Sequence, residues 1–290
     1  MARGLRPVNR AGSASSSKQT FNLENALQTE PLDAPIHRGQ SRLMFPIRDH
    51  NPSGRTPYVT YALMAINIVV FLSYVSMFND PRAINQFFYE WAMVPVLVST
   101  EGTYQTIFTS MFLHGGWIHL AGNMLFLWIF GDNMEDEMGH VGYLLFYIAA
   151  GMGAGLAHVI AGPYSQVPTV GASGAIAGVM GGYLLLFPKA RVDILLIIIF
   201  YVRIIPIPAW VMLGLWFGFQ LFAGVGADSS GGGVAYWAHA GGFVIGLILT
   251  IPLFLRHGGT AFWEQTDGHP PHPDATYEFA ASRIPRVKRK

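Results

Sequence analysis

The chain has 290 residues, 51% hydrophobic and 12% charged, with a formal net charge of +1 and a mean hydropathy of +0.35. Soluble domains carry about 25% charged residues, so this depletion excludes an ordinary soluble globule and indicates a polytopic membrane protein. The small net charge excludes a basic nucleic-acid-binding stripe, and the lack of cysteine excludes disulfides, thiolate metal sites and thiol catalysis.

Residues 1–57 are polar and serine-rich near the start, and they predict a mostly disordered N-terminal tail rather than a secretory signal. The first insertion signal is therefore expected to be a retained membrane helix, at 58–78, ended by Asn79-Asp80-Pro81. Loop 1, about 81–116, carries Phe87, Phe88, Tyr89 and Trp91 without a clean span, a composition suited to the membrane interface. The second span is predicted at 114–131, closed by an acidic turn at 132–137 expected to be solvated. The third, at 141–161, holds Gly151, Gly153 and Gly155, which permit close helix approach.

The fourth span, 173–187, begins at Gly171-Ala172-Ser173-Gly174 and is small or apolar throughout. Its length of roughly 22 Å falls short of a hydrocarbon core of roughly 30 Å, so Ser173 is expected below the membrane surface. Residues 193–205 are few for a span and are interrupted by Arg203, which predicts a re-entrant or interfacial strand-like piece, with a true span as the alternative. The fifth span is predicted at 208–224, followed by a glycine-rich loop at 227–234. Within that loop Gly231–Gly233 could be a plain linker or a flexible cap. The sixth span is predicted at 235–255, and 256–290 is a polar C-terminal tail.

The expected fold is thus an all-α membrane protein, a six-transmembrane helical bundle over 58–255 with polar tails at 1–57 and 256–290. Of the 18 Lys and Arg, Arg82 alone falls on loops 1, 3 and 5. The positive-inside rule then places both termini in the cytoplasm. With no organelle-targeting pattern, a bacterial plasma membrane is the expected setting.

In this topology spans two, four and six run in the same direction, so their first turns lie at one depth. Those turns carry His114, His119 and Asn123, then Ser173, then His239. Polar side chains inside spans are costly and mark function by default. A serine hydroxyl needs a base to take its proton, and neutral imidazole suits the task, which makes His239 the candidate base. Asn123 stands one turn after His119, so both can aim donors at a developing oxyanion, joined by the Ser173 backbone N–H. No carboxylate falls in the layer, so the economical reading is a Ser–His dyad.

The runs His114-Gly-Gly-Trp-Ile-His119-Leu-Ala-Gly-Asn123, Gly171-Ala172-Ser173-Gly174 and Ala238-His239-Ala240-Gly241-Gly242-Phe-Val-Ile-Gly246 together resemble the rhomboid intramembrane serine proteases over about 58–255. The resemblance implies Ser173 as nucleophile and His239 as general base. It implies His119, Asn123 and Ser173 as oxyanion-stabilising residues. It also makes His114, Gly171, Gly174, Gly242 and Gly246 site-supporting. Gly171 would shape the turn before the serine, and Gly242 and Gly246 would be the face on which span six meets span four. It further implies cleavage of other proteins' transmembrane segments near their outer end, without metal, nucleotide or other cofactor. The expected partners are transmembrane-protein substrates and the lipid bilayer, with no nucleic acid. The chain departs from the family at Ala177, where many members place a ring against the base histidine, so His239 must be oriented by packing elsewhere. Trp216, Phe217 and Phe219 are candidate gating aromatics. His158 has no partner motif and reads as a core or interface residue. A non-catalytic rhomboid-like binder of transmembrane clients is the competing class, and a transporter is a third.

Overall fold

The computed structural model describes residues 43–51, 53–198, 201–226 and 235–271. In chain order these form β1 (Leu43–Asp49), α1 (Tyr58–Tyr74, continued as a 3-10 turn to Asn79), α2 (Pro81–Trp91), α3 (Pro95–Glu101), α4 (Gln105–Thr109) and α5 (Trp117–Ala161). There follow α6 (Ser173–Leu186), β2 (Arg191–Ile198), β3 (Tyr201–Pro208), α7 (Ala209–Gly226), α8 (Tyr236–Arg256) and α9 (Thr260–Thr266). The expected cap at Gly231–Gly233, most of the N-terminal tail and the end of the C-terminal tail lie outside the described residues.

Every apolar segment expected to span is helical. Four helices are long and apolar enough to cross a membrane, namely α1 with its continuation, α5, α7 and α8, while α6 is a shorter apolar helix. The 45-residue α5 bends at Gly139, whose φ of 67° and ψ of 163° are non-helical. Its two arms correspond to the expected second and third spans. The perimeter is apolar and open, as Ile118 at 90% exposure and Phe222 at 81% illustrate, which suits a protein solvated by lipid. The chain is an integral membrane protein on this ground.

Helix α6 lacks a polar face, and a helix apolar all round must be buried all round. It packs against α5 and α8, with Gly174 to Tyr183 buried without interruption. Glycine makes this approach possible. A Cβ on Gly242 would sit 2.1 Å from the Gly174 carbonyl oxygen, and one on Gly246 would sit 2.0 Å from that of Gly178. Backbone therefore meets backbone at two successive turns, which fixes the separation of the elements that carry Ser173 and His239.

Two features differ from the sequence expectation. The fold is mostly helical rather than all-α, because β1, β2 and β3 form an antiparallel three-stranded sheet in that order. Residues 193–205, expected to be strand-like, supply most of β2 and β3. Residues 43–49 of the expected tail supply β1, since β2 is rich in Ile and Leu and offers an edge to pair. The turn at 132–137 is also not a solvated loop. Glu135 is 2% exposed, and its carboxylate accepts from the backbone N–H groups of Val59 and Thr60 and from the Thr60 hydroxyl at 2.7–2.8 Å. It satisfies first-turn donors of α1 that no other cap reaches. Neighbouring Asp136 accepts from Gly54 N–H, and Glu137 pairs with His257 at 3.3 Å. The acidic turn thereby ties α1 and α8 to the bend of α5. Glu135→Ala is expected to cost about 1–3 kcal/mol by orphaning these donors, read as a lowered unfolding midpoint in detergent.

Asp49, at the end of β1, accepts from Asn133 Nδ2 at 2.7 Å and from the Tyr183 hydroxyl at 3.2 Å. Burial, reinforced by the Asp132 carboxylate, pushes its carboxyl from 3.8 up to about 8. A raised folded-state value means that the native chain holds a proton the unfolded chain has released. Stability from this group is therefore full below about pH 4 and is lost as pH rises to about 8. Asp49→Asn, which mimics the protonated form, is expected to gain in unfolding midpoint over the unaltered chain steadily across that interval. A constant difference would refute the assignment.

Candidate active site

Ser173 opens α6, and the backbone before it is held by loop 1. Met93 and Thr169 exchange two backbone hydrogen bonds, and Gly171 N–H donates to the Ser110 carbonyl at 2.9 Å. Loop 1, expected as an interface-lying segment, here supplies α2, α3 and α4 and braces the turn that presents the serine. Gly171 has a φ of +134°, a region that side-chain-bearing residues rarely adopt. A Cβ there would lie 2.8 Å from His119 Nε2 and 3.3 Å from Ser173 Oγ, so the bare glycine is what lets imidazole and hydroxyl converge.

Across from Ser173, α8 presents His239 one residue after buried Ala238. Its Nε2 is 2.7 Å from Ser173 Oγ. On the other side of the ring, Nδ1 is 2.9 Å from Gln220 Oε1 of α7. The indole of Trp216, one turn before Gln220, lies against the same imidazole with centroids 5.8 Å apart and planes inclined by 33°. The position of Ala177 is fully buried. The contact expected from elsewhere thus comes from α7 rather than α6.

His119 and Asn123 stand on successive turns of α5. Gly115 N–H donates to His119 Nδ1 at 3.2 Å, which leaves Nε2 as the protonated nitrogen, directed at the Gly171–Ser173 turn. Asn123 Nδ2 is buried with no protein hydrogen-bond partner among the described residues. A buried donor of this kind is costly unless something accepts from it. Ser173, His239, His119, Asn123 and Trp216 all line one cavity of about 870 Å³.

His114 does not line that cavity. It is fully buried beneath His119, with ring centroids 5.1 Å apart. Its backbone N–H donates to the Tyr74 hydroxyl at 2.6 Å, which in turn donates to its carbonyl at 2.9 Å. Gly174 meets Ala154 of α5, and its carbonyl meets Gly242 of α8. His158, expected as a core or interface residue, lines the cavity, and its Nε2 lies 3.1 Å from the Thr169 hydroxyl. Of the expected aromatics, Trp216 faces the cavity. Phe217 stacks on Phe243 at 4.7 Å, and Phe219 is exposed at the perimeter.

The residue that sequence reading missed is Gln220. A lone amide in the otherwise apolar 209–226 helix was the available signal, because intramembrane polar side chains are expensive. Chemically, the arrangement offers a hydroxyl in contact with a base whose far nitrogen is fixed. Two side chains with N–H donors, His119 and Asn123 on a neighbouring helix, line the same cavity.

Comparison with known proteins points the same way. The Rhomboid domain family matches residues 101–256. The chain is 28% identical over 203 residues to "Rhomboid protein 1, mitochondrial" of Saccharomyces cerevisiae, covering 66% of this chain and 51% of that protein. It is 30% identical over 203 residues to "Rhomboid protease GluP" of Bacillus subtilis, covering 70% of this chain and 36% of that protein. A shorter match, 44% over 70 residues, is to "Rhomboid-like protein 11, chloroplastic" of Arabidopsis thaliana, covering 24% of this chain and 25% of that protein. The matched stretch thus spans about half or less of these curated relatives.

Proposed function

The chain belongs to the rhomboid family, and from that premise we propose that it is an intramembrane serine endopeptidase acting through a Ser173–His239 dyad. The observation that carries the proposal is the 2.7 Å contact between Ser173 Oγ and His239 Nε2 at the wall of the large cavity. In the proposed reaction Ser173 attacks the scissile carbonyl while His239 Nε2 takes its proton, giving a tetrahedral intermediate. The Ser173 backbone N–H, His119 Nε2–H and Asn123 Nδ2–H stabilise the oxyanion. His239 then returns the proton to the leaving amine, and water hydrolyses the acyl-enzyme by the same route.

The substrates proposed are transmembrane segments of other proteins. Helical hydrogen bonds shield a scissile bond in lipid, so helices weakened by Gly, Pro or polar residues are the expected targets. The domain proposed is 58–255, with six spans: α1, the two arms of α5, α6, α7 and α8. The Lys and Arg asymmetry supports cytoplasmic termini and a cavity opening to the outer face. The proposed setting is a bacterial plasma membrane.

Labelling with a fluorophosphonate tests the reading directly. Modification confined to Ser173, and absent from His239→Ala, is expected. An unlabelled, inactive chain that still captures transmembrane clients would favour the non-catalytic binder. Loss of one oxyanion donor in Asn123→Ala is expected to lower kcat by about 10²–10³-fold, measured on a transmembrane reporter peptide.

A further inference from the structure

We propose that Gln220 is a positioning residue that holds His239 in the tautomer able to act as a base; this rests on the Ser–His reading above. Gln220 is 4% exposed on a helix whose other side chains are apolar or aromatic, and a buried amide persists only where it is hydrogen-bonded. Its Oε1 faces His239 Nδ1 at 2.9 Å while His239 Nε2 faces Ser173 at 2.7 Å.

A neutral imidazole carries one N–H, and an amide oxygen can only accept. Nδ1 must therefore hold the proton, which leaves the Nε2 lone pair directed at the serine hydroxyl. Trp216 closes one face of the ring, so α7 fixes both the plane and the protonation pattern of the base. The device stands in for the ring absent at Ala177 and uses a neutral acceptor, not a carboxylate. Among the described residues that line the cavity, the titratable groups beside His239 are His119 and His158 on α5 and Tyr236 on α8 itself. None of these is a carboxylate.

Two variants and one spectrum test the proposal. Gln220→Met keeps length without a strong acceptor, and kcat on a transmembrane reporter is expected to fall about 10- to 100-fold with KM within about twofold. Gln220→Glu restores an acceptor and adds charge. It is expected to retain activity, with the acid limb of the pH–rate profile moved up by about one to two pH units. An inactive or unshifted Gln220→Glu, or a fully active Gln220→Met, would overturn the assignment. If Gln220→Met does not fold, the Gln220→Glu profile decides. In ¹⁵N spectra of histidine-labelled protein, compared with His239→Ala, His239 is expected to show a protonated Nδ1 and a bare Nε2. The opposite tautomer would refute the role of Gln220 whether or not the chain cleaves substrate. Failure of Ser173 to label with fluorophosphonate would instead refute the dyad, and the spectrum alone would then decide whether Gln220 sets the tautomer.

Discussion

Replacing Ser173 or His239 by alanine is expected to lower cleavage of a transmembrane reporter about ten-thousand-fold or more, and the double variant is expected to fall no further. Nucleophile and base act as a unit, so losing either removes the same step. The contact at 2.7 Å is a direct one. Folding should survive Ser173→Ala, since a small residue at the first turn of α6 leaves the glycine packing intact. Rates measured in proteoliposomes, with unfolding midpoints recorded in parallel, separate chemistry from stability. Equal cutting by Ser173→Ala and the unaltered chain would end the protease assignment.

Gly246→Val is expected to lose both stability and labelling of Ser173. Its Cβ would sit 2.0 Å from the Gly178 carbonyl oxygen and 2.3 Å from Gly178 Cα, and backbone cannot yield as a flexible side chain can. Helices α6 and α8 must therefore separate or one must rotate. Overpacking of an interior commonly costs about 1–3 kcal/mol, and a backbone-on-backbone contact with a β-branched residue belongs at or above the upper end. The displacement also moves His239 from Ser173, so fluorophosphonate labelling should fall even in the fraction that remains folded. Gly214→Val serves as the control, because a Cβ there meets nothing within 4 Å. If both variants melt and label alike, the α6–α8 glycine contact does not set the site geometry.

Much of the bundle was legible in the chain. Apolar runs and their breaks, at Asn79-Asp80-Pro81, Pro188 and Gly162-Pro163, mark where helices start and stop, because the cost of burying polar backbone in lipid is local. The shortness of 173–187 followed from the same arithmetic. The family resemblance implied Gly171 as the turn residue. Less legible were contacts whose partners lie far apart in sequence. Glu135 looked like one acid in a solvated turn, since nothing local to 132–137 shows that the start of α1 descends onto it. Strand β1 was hidden in a polar stretch because its pairing depends on β2, about 150 residues later.

Composition and apolar runs are enough to show that the chain enters a membrane and which long apolar segments are helical. Composition and spacing act on each segment alone, and the bilayer penalises each independently. The tertiary structure decided which polar groups touch. Depth leaves open the rotation of a helix about its own axis, and that rotation is set by packing: glycine against glycine between α6 and α8, Glu135 under α1, and loop 1 behind Gly171. It brings Ser173 and His239 within 2.7 Å, and it turns Gln220 and Trp216 of α7 onto the ring that Ala177 leaves uncovered. No periodicity encodes that last contact, because it joins two helices whose relative rotation only the packed bundle fixes.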